Sequence, residues 1–474
     1  MNDDLVVASN RGPISWSRDD RGDLVPSRGF GGLVTALGGA MQDETGAWIS
    51  LALSDDDRAV AAEHPDQPFT VEADGSSFRV RLLDAGDHYE AYYNEVANRL
   101  LWFTVHQLWG EPYEPSGVGW PPAWQDYQRV NALLAEAVVA EDGDEVYLQD
   151  YHLMTAGLEI RQAQPDVALL HYIHTPWVQP AYLRRLPDPI GDHVLRGLLA
   201  ADVVAFSSPA WCEAFRRCAA EFLGAAVEDT DVVLDGRRTH VADFVLGVDA
   251  DDLASSAASE EVATAADDLD AELDGRKLIL RVDRSDLSKN ILRGLLAYEL
   301  LLERHPEHRG AVWHYAHLNP SRQDVAEYRD YLQACQQAGE RIQERFGESA
   351  LTVYVGDDYP RAVAALQRSD VLLANPVTDG TNLVAKEGPA LNDRAGVLIL
   401  SPSAGAADVM AEGALLVNPY DVEAQAEALH RALTMDDGER ATRARLLDAA
   451  ARRGGPLEWF AAQRNALAAA VASR

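Results

Sequence analysis

Short runs of apolar, often β-branched residues recur along the chain, each followed by a polar turn and a stretch with helical spacing. Nine such runs are DLVVASNRGP, EVYLQDYHL, VALLHYIHTPW, DVVAFSS, KLILRVDRSD, AVWHYAHLNPSR, LTVYVGDD, DVLLANPVTDG and GVLILSPSAG. A continuous apolar run suits a strand that is covered on both faces, as in a parallel sheet with helical crossovers. The pattern therefore predicts an α/β protein.

The length and one change in composition predict two domains. A chain of 474 residues exceeds one ordinary core and suits two domains of about 200 residues each. Residues 251–275 are acidic and rich in alanine and serine, and they separate two series of predicted strands, as an exposed helix near a boundary would. We place the boundary near Gly247 and expect two doubly wound domains.

Polar clusters follow several of the predicted strands. In open parallel sheets, ligands bind beyond the carboxyl ends of the strands. The clusters are Asn10-Arg11, Asp150-Tyr151-His152, His174-Thr175-Pro176, Arg284 and Asp379-Gly380. We expect them to form one site between the two domains.

The charge of the chain excludes some partners. The formal net charge is −35, and acidic residues occur along the whole chain. Such a surface repels nucleic acid and anionic membranes, and we interpret it as adaptation to salt or a biased genome rather than as a functional patch.

Only Lys277, Lys289 and Lys386 are lysines, so 38 of the 41 basic residues (41 − 3) are arginines.

The same composition suggests a compartment. The chain has no apolar run of membrane-spanning length, and its first residues lack the pattern of a signal peptide. Cys212, Cys218 and Cys335 have no paired or metal-ligand spacing, which suits a reducing compartment and argues against a structural zinc site. We expect a cytoplasmic protein.

Two segments have the chemistry of a phosphate site. In RVDRSDLSKNILRG, Arg284 closes a predicted strand and Lys289 lies near a helix start, so both suit a diphosphate; the alternative is a surface salt-bridge pair. In TDGTNLVAKEGPA, Gly380 lets the backbone approach a ligand, and Asn382 can cap a helix. Glu387 would lie about 12 Å along that helix from Asp379, on the same face, although a solvated helix face is the simpler interpretation.

Several other catalytic motifs are absent from the sequence. None of the lysines lies in a Walker sequence, and no G-x-S-x-G elbow or H-E-x-x-H helix occurs. RGFGGLVTALGG lacks a third glycine at the spacing of a dinucleotide fingerprint. The acidic clusters are expected by chance at this content of Asp and Glu, so we predict no metal ligands.

Many separate motifs match a known family in the family's order. They are GGLVTAL, YYNEVANRLLW, RVNALLAE, QDYHLM, IHTPW, VDRSDLSKN, NPSRQDVAEY, DGTNLVAKE and VNPYD. On these motifs the chain resembles the trehalose-6-phosphate synthases, which are retaining glycosyltransferases, from VVASNRG to LLVNPYD. The resemblance implies two Rossmann-like domains of GT-B type with the active site in the cleft between them. Residues 1–247 would bind the acceptor and 248–474 the nucleotide donor, with the last helix packing back on the first domain.

The resemblance also implies a role for each matched position. The implied substrates are a nucleoside diphosphate sugar and a sugar phosphate, without a metal or other cofactor. The implied catalytic residues are Asp150, His174, Arg284, Lys289 and Asp379. The implied donor-binding residues are Gly31, Gly32, Arg284, Lys289, Asp379, Gly380, Thr381, Asn382, Leu383 and Glu387. The implied pocket for the acceptor phosphate is Arg11, Tyr93, Trp102 and Arg322. Lys386 would support its helix rather than touch a ligand.

The sequence also departs from the family at positions that would face the sugars. Where the family has a Gly-Trp-Ser-Gly-like segment the chain has AWISLALS, and DLSKN, TDGTN and KEG replace Asp-Tyr-x-Lys-Gly, Arg-Asp-Gly-Met-Asn and Lys-Glu-Tyr. The residues that would bind anions are kept. This pattern resembles the validoxylamine 7′-phosphate synthases, which join a nucleotide-linked cyclitol to an aminocyclitol phosphate, and glucosylglycerol-phosphate synthases are a further alternative.

We predict a trehalose-6-phosphate synthase-like enzyme and keep these alternatives open. A non-catalytic sensor of nucleotide sugars would be expected to lose the leaving-group cations, yet Arg284 and Lys289 are both present. The nucleobase, the acceptor and the oligomeric state, including a homo-oligomer, stay open at this level.

Overall fold

The chain divides into two compact units. The computed structural model describes residues 5–29, 34, 37, 38, 41, 46–65, 67–73, 75–110 and 120–474. The first unit is Met1–Val245 with Pro456–Arg474, and the second is Leu246–Gly455. The division therefore lies two residues before Gly247, and the last helix belongs to the first unit. No helix in the described ranges is both long and apolar enough to cross a bilayer.

The first unit is built on a ten-stranded sheet. Its strands have the order β10-β11-β12-β9-β8-β7-β1-β4-β6-β5, and the seven from β12 to β6 are parallel. A separate hairpin pairs β2 with β3. The strands are β1 (Leu5–Ala8), β2 (Ile14–Arg18), β3 (Leu24–Arg28), β4 (Ala47–Leu51), β5 (Phe69–Ala73), β6 (Ser76–Leu83), β7 (Glu145–Gln149), β8 (Ala168–Tyr172), β9 (Val203–Phe206), β10 (Ala226–Glu228), β11 (Asp231–Leu234) and β12 (Arg237–Asp243). Because the order reverses between β1 and β7, the carboxyl ends of these two strands form the topological switch point.

The helices of the first unit connect these strands. A π-helix, Ala91–Leu101, leads directly into a short α-helix. The α-helices described are α1 (Asp55–Glu63), α2 (Trp102–Val105), α3 (Trp120–Ala140), α4 (Ala156–Ala163), α5 (Pro180–Leu183), α6 (Ile190–Leu198), α7 (Pro209–Leu223) and, from the end of the chain, Pro456–Ala472. This last helix packs its Trp459 ring 4.9 Å from the Tyr172 ring of β8.

The second unit is built on a six-stranded, fully parallel sheet with the order β15-β14-β13-β16-β17-β18. Its strands are β13 (Lys277–Arg284), β14 (Val312–Asn319), β15 (Leu351–Val355), β16 (Val371–Ala374), β17 (Val397–Leu400) and β18 (Leu415–Leu416). Its helices are α8 (Ala250–Ala257), α9 (Glu260–Leu273), α10 (Ile291–Arg304), α11 (Ala326–Phe346), α12 (Tyr359–Arg368), α13 (Val384–Leu391), α14 (Ala407–Met410), α15 (Val422–Thr434) and α16 (Asp437–Ala451). The switch point lies between β13 and β16.

Burial on both faces explains the continuous apolar runs. Leu278, Ile279 and Leu280 of β13 are all inaccessible to solvent. Leu278 and Leu280 point into one hydrophobic cluster, whereas Ile279 points into the cluster on the other side of the sheet. Since successive side chains of a strand point to opposite faces, a doubly covered strand favours apolar residues at consecutive positions. The nine runs identified in the sequence all contain a strand, and the fold is α/β with two Rossmann-like doubly wound domains.

Two local expectations need correction. Residues 251–275 do not form one helix, because the chain breaks between α8 and α9, where Ser259 accepts a hydrogen bond from the Val262 amide. Asp379 and Glu387 do not share a helix face either. The segment between them is a loop, and α13 begins only at Val384.

Candidate functional site

The switch point of the second unit brings Arg284 and Asp379 to neighbouring strands. Arg284 is the last residue of β13, whose Leu280 pairs with Leu372 of β16, and Asp379 lies five residues beyond the end of β16. The side chain of Arg284 is 45 % exposed. The side chain of Arg284 is therefore accessible to a ligand at the carboxyl end of β13.

Lys289, Asp379 and Asn382 form a compact polar group. Lys289 Nζ lies 2.5 Å from Asp379 Oδ2, which also accepts a hydrogen bond from Asn382 Nδ2 at 3.0 Å. Burial lowers the pKa of Lys289, but the carboxylates of Asp379 and Asp283 outweigh this effect and raise the pKa above its ordinary value. Lys289 is therefore held as a cation next to a carboxylate that it orients.

The loop that carries Asp379 is fixed through its carbonyl groups. The Gly405 amide donates to Gly380 O at 2.8 Å, and the Ala406 amide donates to Thr381 O at 2.8 Å. No described protein group accepts a hydrogen bond from the backbone amides of Gly380, Thr381 or Asn382. Backbone amides that have no acceptor in the protein can donate to the oxygens of a phosphate group.

Glu387 lies on α13, half-buried and within electrostatic reach of Lys289. Burial raises the pKa of Glu387 to about 7, and Lys289 opposes this shift. The neighbouring Lys386 is wholly buried and donates from Nζ to Leu246 O at 2.5 Å. Lys386 is thus a structural residue that ties α13 to the start of its own unit.

Arg322 also belongs to the second unit, where two groups hold its guanidinium. Its Nη1 lies 2.8 Å from Asp286 Oδ2 and 2.6 Å from the Tyr328 hydroxyl. Asp286 is inaccessible to solvent, and its other oxygen accepts hydrogen bonds from the Ser288 amide and hydroxyl, both at 2.9 Å. Arg284 Nη2 approaches the same carboxylate at 3.9 Å. The sequence analysis missed Asp286, although its place between Arg284 and Lys289 was a usable signal.

Asn290, one of the departures from the family pattern, joins loops of this unit. Its φ is +59°, a left-handed conformation that asparagine adopts more readily than most residues. Its Nδ2 donates to Asn375 O at 2.9 Å and to Pro419 O at 2.7 Å. A further buried group supports this loop, because Arg281 Nη1 donates to Asp283 Oδ2 at 2.8 Å and to Lys289 O at 3.0 Å.

In the first unit, Asp150 and His174 lie together after neighbouring strands. The His174 amide donates to Asp150 Oδ1 at 3.1 Å, and Asp150 has a φ of +73°, which is strained for a residue other than glycine. His174 Nε2 donates to Gln149 Oε1 at 2.9 Å, and burial lowers the pKa of His174 to about 3. The imidazole is therefore neutral and fixed in orientation by Gln149, a residue that sequence reasoning missed.

The predicted phosphate residues of the first unit lie on the π-helix, at the start of α2 and after β1. The Tyr93 ring stacks on His152 at 5.9 Å and on Tyr89 at 5.3 Å. Arg11, three residues beyond the end of β1, is exposed. Trp102 is 7 % exposed, and its ring stacks at 3.8 Å on His106. Tyr93 and Arg11 are thus more open to a ligand than Trp102.

Ser50 marks another departure from the family. Its hydroxyl is buried and has no hydrogen-bond partner among the described residues. A β-carbon on Gly12 would lie only 2.4 Å from this hydroxyl. The serine therefore packs directly against the segment that follows Arg11.

Gly31 and Gly32, which were predicted to bind the donor, lie outside the described residues.

Among the described residues, His305, Glu307 and His430 offer ligand atoms within 4.8 Å of one another. However, the two imidazole rings stack at 3.7 Å with nearly parallel planes, so their in-plane lone pairs do not converge on one ion.

The chain matches one family profile over almost its whole length, and relatives with two different activities are among those it resembles. The profile of glycosyltransferase family 20 matches residues 3–468. The chain is 33 % identical to a trehalose-6-phosphate synthase of Salmonella choleraesuis, over 94 % of this chain and 91 % of the relative. It is 29 % identical to a validamine 7-phosphate valienyltransferase of Streptomyces hygroscopicus subsp. jinggangensis, over 99 % of this chain and 95 % of the relative.

Solved structures agree with this result. An E. coli trehalose-6-phosphate structure bound with UDP-2-fluoro glucose has a TM-score of 0.83 at 29 % identity, covering 98 % of both chains. A UDP-forming α,α-trehalose-phosphate synthase from Burkholderia xenovorans in complex with glucose-6-phosphate has a TM-score of 0.82 at 27 % identity, covering 98 % of this chain and 99 % of that one.

Proposed function

Because the chain belongs to glycosyltransferase family 20, we propose that it transfers a glucosyl group from a nucleoside diphosphate glucose to a sugar phosphate, as trehalose-6-phosphate synthases do. The protein is a glycosyltransferase with a fold of GT-B type. The observation that carries the proposed substrates is the group at the β13–β16 switch point. There, one exposed arginine, one paired lysine and three unbonded amides provide the charge and donors that a diphosphate needs.

The second unit would bind the donor. Arg284 and Lys289 would neutralise the diphosphate as it leaves, and the amides from Gly380 to Asn382 would donate to its oxygens. Asp379, oriented by Lys289, would accept hydrogen bonds from the hydroxyls of the donor sugar. Glu387 would accept hydrogen bonds from the nucleotide ribose, while Leu383 lies in the same loop. These roles remain proposals.

The first unit would bind the acceptor. Arg11, Tyr93 and Trp102 would hold its phosphate, with Arg322 of the second unit keeping the same role. Asp150 would accept hydrogen bonds from a reacting sugar, and the neutral His174 would contact it without adding a charge. In the retaining reaction, the acceptor oxygen bonds to the anomeric carbon and the bond from that carbon to the phosphate oxygen breaks. The departing phosphate oxygen takes the acceptor proton, so the protein supplies position and charge.

We also propose that transfer needs no metal ion, because Arg284 and Lys289 supply cationic charge where the diphosphate would lie. Activity that survives exhaustive treatment with EDTA would support this part, whereas recovery of activity only on addition of Mg²⁺ or Mn²⁺ would contradict it. A cytoplasmic location stays a prediction.

A second function is favoured by the departures from the synthase pattern. The Streptomyces valienyltransferase aligns over almost the whole chain, and Ser50, Leu287, Asn290 and Thr381 all depart from the synthase pattern. Such an enzyme would couple a nucleotide-linked cyclitol to an aminocyclitol phosphate. The same phosphate-binding groups would serve either reaction. The choice between the two substrates therefore depends on which ring hydroxyls find hydrogen-bond partners in the sugar-binding part of the site.

One product experiment separates these functions. The purified protein is given glucose 6-phosphate with each common nucleoside diphosphate glucose, and the products are followed by mass spectrometry. A disaccharide phosphate supports the synthase. Tight binding of a nucleoside diphosphate without any disaccharide phosphate would favour the cyclitol-coupling reaction, and the absence of both binding and product would refute a transferase that uses such donors.

A further inference from the structure

A cavity of about 100 Å³ in the second unit lies beside the proposed donor-binding residues. Its wall contains Glu387, and it is closed by residues that the donor proposal does not use. These residues come from the ends of β13 and β14, from the segment before α12 and from α12 itself. The residues used below are His317, Asn319, Asp357 and Tyr359.

The polar lining of this cavity includes Asn319, Asp357 and His317. Asn319 Nδ2 donates to Asp357 Oδ1 at 3.1 Å, which fixes an exposed carboxylate at the rim. Another lining residue, His317, is inaccessible to solvent, and its Nε2 has no partner among the described residues. The Tyr359 ring, 49 % exposed, forms part of the wall. An unpartnered buried nitrogen, a fixed carboxylate and an open aromatic ring are the features of a site that recognises a flat polar ring.

We propose that this cavity holds the nucleobase of the donor and that Asp357 makes the site selective for guanine. The proposal rests on the function proposed above, in which Glu387 binds the ribose, because the base must then lie next to Glu387. Tyr359 would stack on the base, and Asp357 would accept from its edge.

Elementary donor and acceptor chemistry selects guanine. The Watson–Crick edge of guanine presents two adjacent donors, N1–H and the exocyclic N2 amino group, which a carboxylate accepts together. Uracil presents a single donor, N3–H, between two carbonyl oxygens that a carboxylate repels. Adenine places the unprotonated N1 beside its amino group, so one carboxylate oxygen would face a lone pair. Only guanine pairs both oxygens of Asp357 without repulsion.

The test compares nucleoside diphosphates on the complete protein. Isothermal titration of GDP, IDP, UDP and ADP should give the tightest binding for GDP. IDP lacks only the N2 amino group, so it should bind about 10-fold more weakly, as expected for the loss of one good base contact. This comparison needs no variant and is unaffected by any failure to fold.

Variants then test each residue. Asp357→Asn should weaken the binding of GDP by about 10- to 100-fold, because an amide presents one acceptor and one donor. The difference in affinity between GDP and UDP should therefore narrow or reverse. Tyr359→Ala should weaken all four nucleotides alike, since stacking does not depend on base identity. Asp330→Asn, at an exposed acid on α11, is the matched control and should change no affinity.

The outcomes are distinguishable from those of the proposed function. If UDP or ADP binds more tightly than GDP, guanine selectivity is refuted and glycosyl transfer still stands. GDP selectivity that persists in Asp357→Asn would remove Asp357 from base recognition. No binding of any nucleoside diphosphate would refute the donor site itself, and with it this inference.

Discussion

Arg284 and Lys289 are the two cations nearest the expected position of the leaving diphosphate. We expect that replacing either residue by alanine lowers kcat by about 10²- to 10³-fold, because one fixed charge that stabilises the transition state is lost. Steady-state kinetics with a saturating acceptor measure the effect. Lys277→Ala is the matched control, since Lys277 Nζ donates to Leu433 O instead. Turnover like that of the wild type in both variants would remove these cations from the mechanism.

Arg322 should act on the acceptor rather than on the donor. Arg322→Ala should raise the KM for the sugar phosphate at least 10-fold and change nucleotide affinity little, because a charged contact to the acceptor phosphate is lost. Asp286→Asn should also raise the KM for the sugar phosphate, by a smaller factor, since Asp286 holds Arg322 in place but would not itself contact the phosphate. The KM for the acceptor and the affinity for the nucleotide would be measured in parallel. Equal weakening of the two would show that Arg322 does not belong to the acceptor subsite.

The raised pKa of Glu387 makes a prediction about pH. In the folded protein this pKa is about 7, above the ordinary value of 4.5, so the folded state binds more protons than the unfolded state between these values. The free energy of unfolding should therefore fall as pH rises from about 4.5 to 7, by roughly 1 to 3 kcal/mol relative to Glu387→Gln. Urea unfolding at several pH values measures this difference. As a control, Glu348→Gln at an exposed position should show the same pH dependence of stability as the wild type. Identical pH dependence in the wild type and in Glu387→Gln would contradict a raised pKa for Glu387.

At the scale of elements, the loop between β16 and α13 depends on Asn382. Its Oδ1 accepts from the Ala385 amide at 3.0 Å, its Nδ2 donates to Asp379, and its φ is +60°. Asn382→Ala should lower the free energy of unfolding by about 1 to 2 kcal/mol, because a cap is lost and an alanine is forced into a left-handed conformation.

Asn382→Gly separates these two causes, since glycine adopts a positive φ without strain but cannot cap the helix. We expect Asn382→Gly to be more stable than Asn382→Ala and to share its weakened donor binding, because Asp379 loses the same hydrogen bond in both. Chemical unfolding and titration with a nucleoside diphosphate measure the two effects. Equal stability of the two variants would show that the left-handed conformation contributes nothing.

At the scale of the whole molecule, the net charge of −35 should make stability depend on salt. Repulsion among the acidic residues opposes the compact state, and the screening length falls from about 10 Å at 0.1 M salt to about 3 Å at 1 M. The thermal midpoint should therefore rise by several degrees from 0.1 to 1 M KCl. Sorbitol at matched osmolality is the control, and an equal rise in sorbitol would refute an electrostatic cause.

The sequence alone determined the parallel framework of the two domains and the chemistry at the strand ends. Runs such as KLILRV are readable because a strand covered on both faces favours apolar residues at consecutive positions, here Leu278 to Leu280. Arg284 and Asp379 were predicted as site residues for a related reason, since polar residues at or after the end of such a run mark the carboxyl end of the strand. By contrast, the antiparallel strands β5, β10 and β11 and the parallel strands β6 and β12 were missed, because strands with exposed positions carry a weaker pattern.

Only the tertiary structure decided which of these residues work together. Asp286 with Arg322, Gln149 with His174, and Lys386 with Leu246 are separated by 36, 25 and 140 residues. No local pattern records such pairs, because they depend on which strands become neighbours and on the depth at which each side chain lies. The raised pKa of Glu387 has the same origin. Its place beside a lysine suggested a solvated helix face, whereas the fold half-buries Glu387 and places its neighbour Lys386 in the core.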